Sequence, residues 1–330
     1  MKPKIPLISI ITPSYNQGQF LEETIRSVLL QDYPAIEYII IDGGSTDNSE
    51  AIIEKYKKKL AWFVSEVDKG QADAINKGFK KATGEFVAWL NSDDIYTESA
   101  ISSAVDKLKS NPDCGMVFSN VLSIDSKSSI FNAMQYGEWG IRELMQFNII
   151  GQPGVFMRKK ALEDVGFLNP DFHYLMDHHL WLKIASKYHI KHIGEFWAAA
   201  RFHPAAKNIA QAAKFGKEAF RIYEWMGKQP DFLPLLQKNR KKVEAGAYVL
   251  NARYLLDNEK NWAAFKNYLK GVTLDISYLP REINRIAYSL LNSLIPLENL
   301  KENYLHKRTE IIKQKDFGYL IDYLKKDKEV

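Results

Sequence analysis

Through its first 120 residues the chain alternates short β-rich runs with segments of helical period, and this alternation constrains the fold more than any other feature. Residues 7–12 (LISIIT) form the first β-rich run. Phe20, Leu21, Thr24, Ile25, Val28 and Leu29 then recur at helical spacing up to Tyr33-Pro34, where the proline ends helical geometry. Residues 37–41 (EYIII) read as a second buried strand, 49–60 as a helix and 61–64 as a third strand. A helix over 72–81 places Ala74, Ile75 and Phe79 on one face, and 85–90 (EFVAWL) is the next strand. Residues 99–109 form a helix stopped by Asn111-Pro112, and 115–119 another strand. Apolar strands separated by amphipathic helices predict an α/β fold, Rossmann-like, with a mostly parallel central sheet and helices on both faces.

The order is less regular further on. Residues 151–157 read as a strand, 176–188 as a helix with Leu180, Ile184 and Tyr188 on one stripe, and 190–201 as extended. Beyond about residue 208 long Lys-rich amphipathic segments take over, at 212–226, 235–257, 261–269 and 282–294, with no repeat period. They predict a helical C-terminal appendage. A bundle packed on the rest of the chain is the simpler reading, and peripheral contact with a membrane surface is the alternative.

With 46% hydrophobic and 26% charged residues, the chain has the balance of a globular protein with a sizeable core. A net charge of +5 over 330 residues is not a basic patch and argues against nucleic acid as a partner. The single cysteine, Cys114, excludes an internal disulfide and a cysteine-based zinc cluster, which fits a reducing, cytoplasmic compartment. The apolar run behind the basic N-terminus is too short for a signal peptide and reads as a strand. No apolar run reaches the ~20 residues of a membrane span. The nearest, 286–297, is interrupted by Asn292 and Pro296.

Polar clusters follow four of the strands: Thr12-Pro13-Ser14-Tyr15-Asn16, Asp42-Gly43-Gly44, Glu66-Val67-Asp68-Lys69-Gly70-Gln71, and Asn91-Ser92-Asp93-Asp94. In a doubly wound sheet the carboxyl ends of strands line one crevice. An Asp there can accept from a base N–H or a ribose hydroxyl, and a Tyr can stack on the base. Adjacent acids at Asp93-Asp94 suit a hard cation, Mn²⁺ or Mg²⁺, shared with a diphosphate. The alternative is that Ser92 or Asp93 only caps the next helix. Asp42-Gly43-Gly44-Ser45 taken alone is a turn, without the spacing of a dinucleotide fingerprint. Trp89 and Trp181 read as core.

Four stretches, Ile11-Thr12-Pro13-Ser14-Tyr15-Asn16, Ile41-Asp42-Gly43-Gly44-Ser45-Thr46-Asp47, Asp68-Lys69-Gly70-Gln71-Ala72-Asp73 and Trp89-Leu90-Asn91-Ser92-Asp93-Asp94, resemble glycosyltransferase family two. The resemblance continues through Gly151-Gln152-Pro153, Met176-Asp177-His178-His179-Leu180-Trp181 and Arg201-Phe202-His203. It covers about residues 5–205 and implies a GT-A fold spanning 1–207. About 1–120 would bind a nucleotide-sugar and 121–207 face the acceptor, with 208–330 as the helical appendage.

By this resemblance, Thr12, Pro13, Tyr15, Asp42, Asp68, Lys69, Gln71, Asp73, Asn91 and Asp93 would contact the nucleotide-sugar. Pro13, Tyr15 and Asp42 would surround the base, often uracil. Asp94 would coordinate Mn²⁺ or Mg²⁺, His203 would approach the metal or diphosphate, and Asp177 would be the general base. Gln152, Pro153, His178 and His179 would lie on the acceptor side. The implied reaction is inverting transfer of one sugar to a hydroxyl of a saccharide or lipid-linked acceptor, as in surface polysaccharide synthesis. His179 stands where a second acid is common, Val67 where a Pro is, and Ala206 where a Ser is. A binding or scaffolding protein without turnover, and a nucleotidyltransferase, are the competing readings.

Overall fold

The computed structural model describes residues 5–203, 211–295, 310 and 317–325. The position of Ala206 and the expected boundary at 207/208 lie outside these residues. Four parallel strands open the chain: β1 (Ile8–Ser14), β2 (Ile36–Asp42), β3 (Trp62–Ser65) and β4 (Phe86–Trp89). They are joined by helices α1 (Gly18–Leu29), α2 (Ser49–Tyr56) and α3 (Gln71–Lys81). The sequence continues with β5 (Ile95–Tyr96), α4 (Ala100–Ser110), β6 (Cys114–Ile124), β7 (Ile130–Met134), α5 (Ile141–Met145), β8 (Val155–Arg158), α6 (Lys159–Val165), α7 (Met176–Lys187) and β9 (His189–Arg201). Four long helices follow: α8 (Ala212–Met226), α9 (Leu233–Asp257), α10 (Asn261–Leu274) and α11 (Leu279–Leu294).

The sheet runs β3-β2-β1-β4-β8-β6-β9-β5, with β7 paired to β6. The parallel part expected from the alternation is the β3-β2-β1-β4 half. Past β4 the sheet is mixed: β8 is antiparallel to both β4 and β6, whereas β9 runs parallel to β6 through three register shifts. The strand expected at 151–157 starts later, because Gln152–Gly154 is a 3-10 turn around Pro153. Helices α9 and α11 start ahead of the expected 235 and 282. Pro234 and Pro280 sit in their first turns, where a missing N–H costs nothing.

Period-two alternation divides the strands between two cores. Ile8, Ile10, Tyr38, Ile40, Phe86 and Ala88 face the layer that holds Leu21, Ile25 and Val28 of α1 and Ile101 and Val105 of α4. Ile11, Ile39, Ile41, Val87 and Trp89 face the opposite layer with Ile75 and Phe79 of α3 and Leu180 and Trp181 of α7. Each fully buried Leu, Ile or Val side chain is worth ~1.5–3 kcal/mol. Trp89 and Trp181 stack at 5.2 Å within this second layer, as core residues.

The C-terminal helices join the same layer. Phe215, Ala219, Ile222 and Met226 of α8, and Leu236, Val243, Ala247 and Leu250 of α9, belong to the core that contains Trp181. A smaller core of Ala245, Val249, Ala252, Ala264, Tyr268, Tyr278 and Ile286 holds α9, α10 and α11 together. Residues 317–325 return to the far edge of the sheet, where Ile321 packs with Ile95, Leu122, Ile124 and Ala199. The Tyr323 hydroxyl donates toward the Tyr96 carbonyl at 3.0 Å. Among the described residues no helix is long and apolar enough to cross a membrane.

Candidate functional site

The ends of β1, β2 and β4 and the loop after β3 converge on one edge of the sheet. Tyr15, just past β1, is 62% exposed, which leaves its ring available to a planar ligand. Pro13 and Thr12 are buried in β1, and the Thr12 hydroxyl pairs with Tyr38 Oη at 3.0 Å. Asn16 adopts φ 51°, in the left-handed region, and its side chain accepts the Thr46 N–H at 2.8 Å. The loops after β1 and β2 are thereby knitted together.

Asp42 is fully buried. It accepts from the Gly44 and Ser45 N–H groups at 3.2 and 2.8 Å and from the Ser45 and Ser65 hydroxyls at 2.5 and 2.7 Å. These bonds turn Asp42 inward, so it shapes the loop beside Tyr15. Asp68, from the loop after β3, and Tyr15 meet over Gly43. A Cβ on Gly43 would meet Asp68 Oδ2 at 2.7 Å and Tyr15 Cδ2 at 3.4 Å, so glycine lets the two side chains close over the backbone. The other Asp68 oxygen accepts the Gly70 N–H at 2.7 Å, and Asp73 accepts that of Lys69 at 3.1 Å.

Beyond β4 a side-chain network links three elements. Gln71, at the start of α3, donates to Asn91 Oδ1 at 2.9 Å, and Asn91 Nδ2 lies 3.1 Å from both Asp94 Oδ2 and Gln152 Oε1. Gln152 also donates to the Trp89 carbonyl at 2.7 Å. Expected on the acceptor side, Gln152 instead uses both ends of its amide to brace the end of β4, and Pro153 beside it is buried.

Asp94 is 5% exposed, and its Oδ1 accepts the Arg201 N–H at 2.9 Å. Burial, and then the charge of Asp93, push its carboxyl well above the usual carboxylate range, against the hydrogen bonds from Arg201 and Asn91. Asp93 is less buried, and its Oδ2 lies 3.1 Å from His203 Nε2. Arg201 fixes both acids. Its Nε donates to the Asp93 carbonyl at 2.8 Å, and its guanidinium pairs with Glu23 at 2.6 Å and covers the Phe20 ring at 4.7 Å. The sequence quoted Arg201 only as part of a motif. A buried Arg at a strand end next to two acids is the signal that marks it.

These residues fit a hard divalent cation. Two adjacent carboxylates, one buried and burdened by its neighbour's charge, present the field that a cation relieves. No group of three or more His, Cys, Asp and Glu able to hold a metal occurs among the described residues. Remaining ligands would therefore come from a diphosphate and water, the usual arrangement for Mg²⁺.

Asp177 lies in the first turn of α7, where its Oδ1 accepts the His178 N–H at 2.7 Å. Burial above all raises the Tyr136 and Tyr254 hydroxyls, and the Asp177 charge adds to both, so the three groups share one neighbourhood. His178 and His179, expected on the acceptor side, turn their rings into the core. His178 is buried, stacks on Phe147 at 5.6 Å, and its Nε2 lies 3.0 Å from the Leu144 carbonyl. His179 is buried between Phe172 at 4.4 Å and Trp225 at 4.3 Å. Burial lowers their pKa to about 4 and about 3 respectively, so both are neutral packing residues at pH 7.

The fold is GT-A. With a TM-score of 0.59 the chain is similar to a Pyrobaculum calidifontis mannosyltransferase solved with GDP-mannose and Mn²⁺, over 90% of this chain and 88% of that one, at 19% identity. It is similar to S. aureus TarS 1–349, solved with UDP-GlcNAc, at a TM-score of 0.56, over 82% of this chain and 91% of that one, at 17% identity. Residues 9–166 match the family described as "Glycosyl transferase family 2" and form a glycosyltransferase family 2 domain. The poly-β-1,6-N-acetyl-D-glucosamine synthase of Staphylococcus epidermidis is 35% identical over 175 residues, or 50% of this chain. The chain spans only 42% of the length of that relative.

Proposed function

We propose that the protein is an inverting, cation-dependent transferase. It moves one sugar from a nucleotide-sugar, UDP-linked by preference, to a hydroxyl of a saccharide or lipid-linked acceptor in polysaccharide synthesis. The observation that carries this reading is the convergence of Gln71, Asn91, Asp93, Asp94, Arg201 and His203 at the carboxyl end of β4, beside the Tyr15–Asp68 pair. The Tyr15 ring would stack on the base, and Asp68 would accept from a base N–H such as that of uracil N3. The Staphylococcus epidermidis relative is named for polysaccharide synthesis, and one structural neighbour was solved with UDP-GlcNAc.

In the reaction the acceptor oxygen bonds to the sugar C1 as the bond from C1 to the diphosphate oxygen breaks on the opposite face. The Asp177 carboxylate takes the hydroxyl proton, and the nucleoside diphosphate leaves with the bonding pair. A bound Mn²⁺ or Mg²⁺ would neutralise charge on the diphosphate. Asp94, Asp93 and His203 are the protein side of that site: each Asp94 oxygen accepts one hydrogen bond, from Arg201 or Asn91, and keeps a lone pair for a cation. Arg201 holds Asp93 in place through its main-chain carbonyl. Residues 1–207 form the catalytic unit in this reading, and the helices after 208 pack on it. Ile283, Leu291 and Leu294 of α11 are exposed and suit peripheral contact with a membrane surface on the cytoplasmic side.

His179 stands where family members often carry an acid and was the feature that favoured a protein without turnover. Its burial between two aromatic rings takes it away from the reacting groups. Incubation with a panel of nucleotide-sugars and Mn²⁺ tests the function. Release of UDP from a UDP-sugar, lost with chelator, is the expected result. No turnover of any donor would leave only binding.

A further inference from the structure

A cavity of about 360 Å³ opens between the segment around α5 and helix α9, lined by Trp139, Asn148, Ile149, Leu250, Arg253, Tyr254 and Asp257. Its volume falls in the ~300–1,000 Å³ range of small-molecule sites. Its lining is that of a sugar site: flat aromatic rings for the apolar face of a pyranose, with an amide, a guanidinium and a carboxylate for its hydroxyls. Four of the seven side chains come from α9, outside the family 2 domain.

We propose that this cavity is the acceptor subsite, and that it takes a pyranose ring whose substituent offers an oxygen acceptor, an acetamido carbonyl or a carboxylate, to Arg253. The inference rests on the transferase reading above and extends it to the acceptor.

The cavity is a built feature. Phe215 of α8 stacks on Tyr254 at 4.7 Å and covers one face of that ring. Tyr136 packs on Trp139 at 5.4 Å. The Arg253 guanidinium is anchored from behind by Glu282, which is fully buried and also pairs with Arg285 at 3.0 Å. The Arg253 side chain keeps 37% of its surface exposed, so its guanidinium can be reached while Glu282 holds it. Phe147 holds φ 60°, a left-handed conformation unusual for a bulky residue, directly before Asn148. The His178 ring that stacks on Phe147 holds this turn in place.

The α9 backbone presses directly against the same wall. A Cβ on Gly246 would meet the Gln146 carbonyl oxygen at 2.2 Å, so only glycine allows the approach. The proposed general base is close by: Asp177 accepts the His178 N–H, and the His178 ring stacks on Phe147, directly before the lining Asn148. An acceptor seated here would have its hydroxyl delivered to the first turn of α7.

The test uses the full chain and three oligosaccharide probes: a β-linked N-acetylglucosamine pentamer, a glucuronate-containing hyaluronan tetramer and a glucose pentamer. Binding is read by saturation-transfer NMR, and donor hydrolysis with UDP-sugar and Mn²⁺ is measured in parallel. The first two probes should bind and the glucose oligomer bind at least tenfold more weakly. Trp139→Leu and Asp257→Asn should each weaken binding tenfold or more with donor hydrolysis unchanged. Asp257 is exposed, so its variant keeps the test meaningful if Trp139→Leu perturbs folding. Binding unaffected by both substitutions, or no probe binding at all while donor hydrolysis proceeds, would overturn the subsite and leave the transferase reading standing. Absence of donor hydrolysis with saccharide binding intact would do the reverse.

Discussion

The Glu218 carboxylate accepts the Leu175 backbone N–H at 2.6 Å. The same side chain, 2% exposed, also accepts the N–H groups of His173 and Tyr174 at 2.8 and 2.6 Å. These are the donors just ahead of α7, whose first turn carries Asp177. A residue of the C-terminal helices thus sets the position of the acid assigned to catalysis, and the anion sits at the positive end of the α7 dipole. The appendage and the catalytic half are coupled through this contact as well as through their shared core.

Replacing Glu218 therefore tests that coupling. Glu218→Ala removes the acceptor of one buried and two part-buried N–H groups and should cost about 3 kcal/mol of stability in urea denaturation, since an orphaned buried group carries a penalty of ~1–3 kcal/mol and the part-buried pair can turn to water. Sugar transfer should fall while UDP affinity, read by calorimetry, stays within a factor of two. Glu218→Gln keeps one acceptor oxygen and should recover most of both losses. Equal stability of wild type and Glu218→Ala would remove the capping role.

Asp177→Asn keeps the size and the hydrogen bond to the His178 N–H but cannot take a proton. Transfer to acceptor should drop ~10²–10⁴-fold, the usual worth of a general base. Donor affinity should be unchanged and stability nearly so, because Asn still accepts the His178 N–H and only a first-turn charge worth ~0.3–1 kcal/mol is lost. Normal turnover in this variant would exclude Asp177 from the chemistry.

The two acids after β4 should separate under substitution. Asp93→Ala should abolish the Mn²⁺ enhancement of UDP binding with little change in unfolding. Asp94→Ala should unsettle the Arg201 backbone and Asn91 as well, and lower both stability and binding. Calorimetry with and without Mn²⁺ distinguishes them. Full metal enhancement in Asp93→Ala would leave the cation on Asp94 without Asp93.

Arg201→Lys keeps the charge and loses the planar fork that reaches Asp93, Asp125, Ser128 and Glu23 together. Breaking a buried ion pair costs about 3–5 kcal/mol. Part of that should remain in the lysine variant as a lower denaturation midpoint, accompanied by weaker UDP binding in Mn²⁺. A variant matching wild type in both would show that the strand end holds Asp93 without this contact.

Acid should destabilise the fold through its buried histidines. Burial depresses His178 to about 4 and His179 to about 3, below the ordinary value of 6.5. The unfolded chain then binds more protons than the folded one between those values and 6.5. Stability is full above pH 6.5 and falls as the pH drops toward 4, by up to ~1.4 kcal/mol per pH unit for each ring. His179→Phe keeps the packing between Phe172 and Trp225 and should flatten this dependence. Urea denaturation at pH 7.5 and pH 5 gives the comparison, and an identical pH dependence in the variant would refute it.

The sequence by itself determined the parallel half of the sheet, because continuous apolar runs and helical spacing are local signals that burial on both faces imposes. It also determined that polar clusters end those strands, and the family resemblance that follows from their order. It did not determine which way each side chain turns. Asp42 spends its oxygens on its own loop and on Ser65, Asp68 closes over Gly43, and Gln152 braces the end of β4, because each is oriented by a partner 2 to 63 residues away in sequence. The mixed half of the sheet was equally illegible, since the pairing of β6 with β9 joins segments with similar patterns and is settled by register shifts in three dimensions. Only the tertiary structure decided that His179 is core. A histidine two residues from a proposed general base looks functional in one dimension, and two aromatic rings from separate elements make it a packing residue in three. The cavity against α9 belongs to the same class, because its walls are contributed by segments a hundred residues apart that meet through Gly246 and the Gln146 carbonyl.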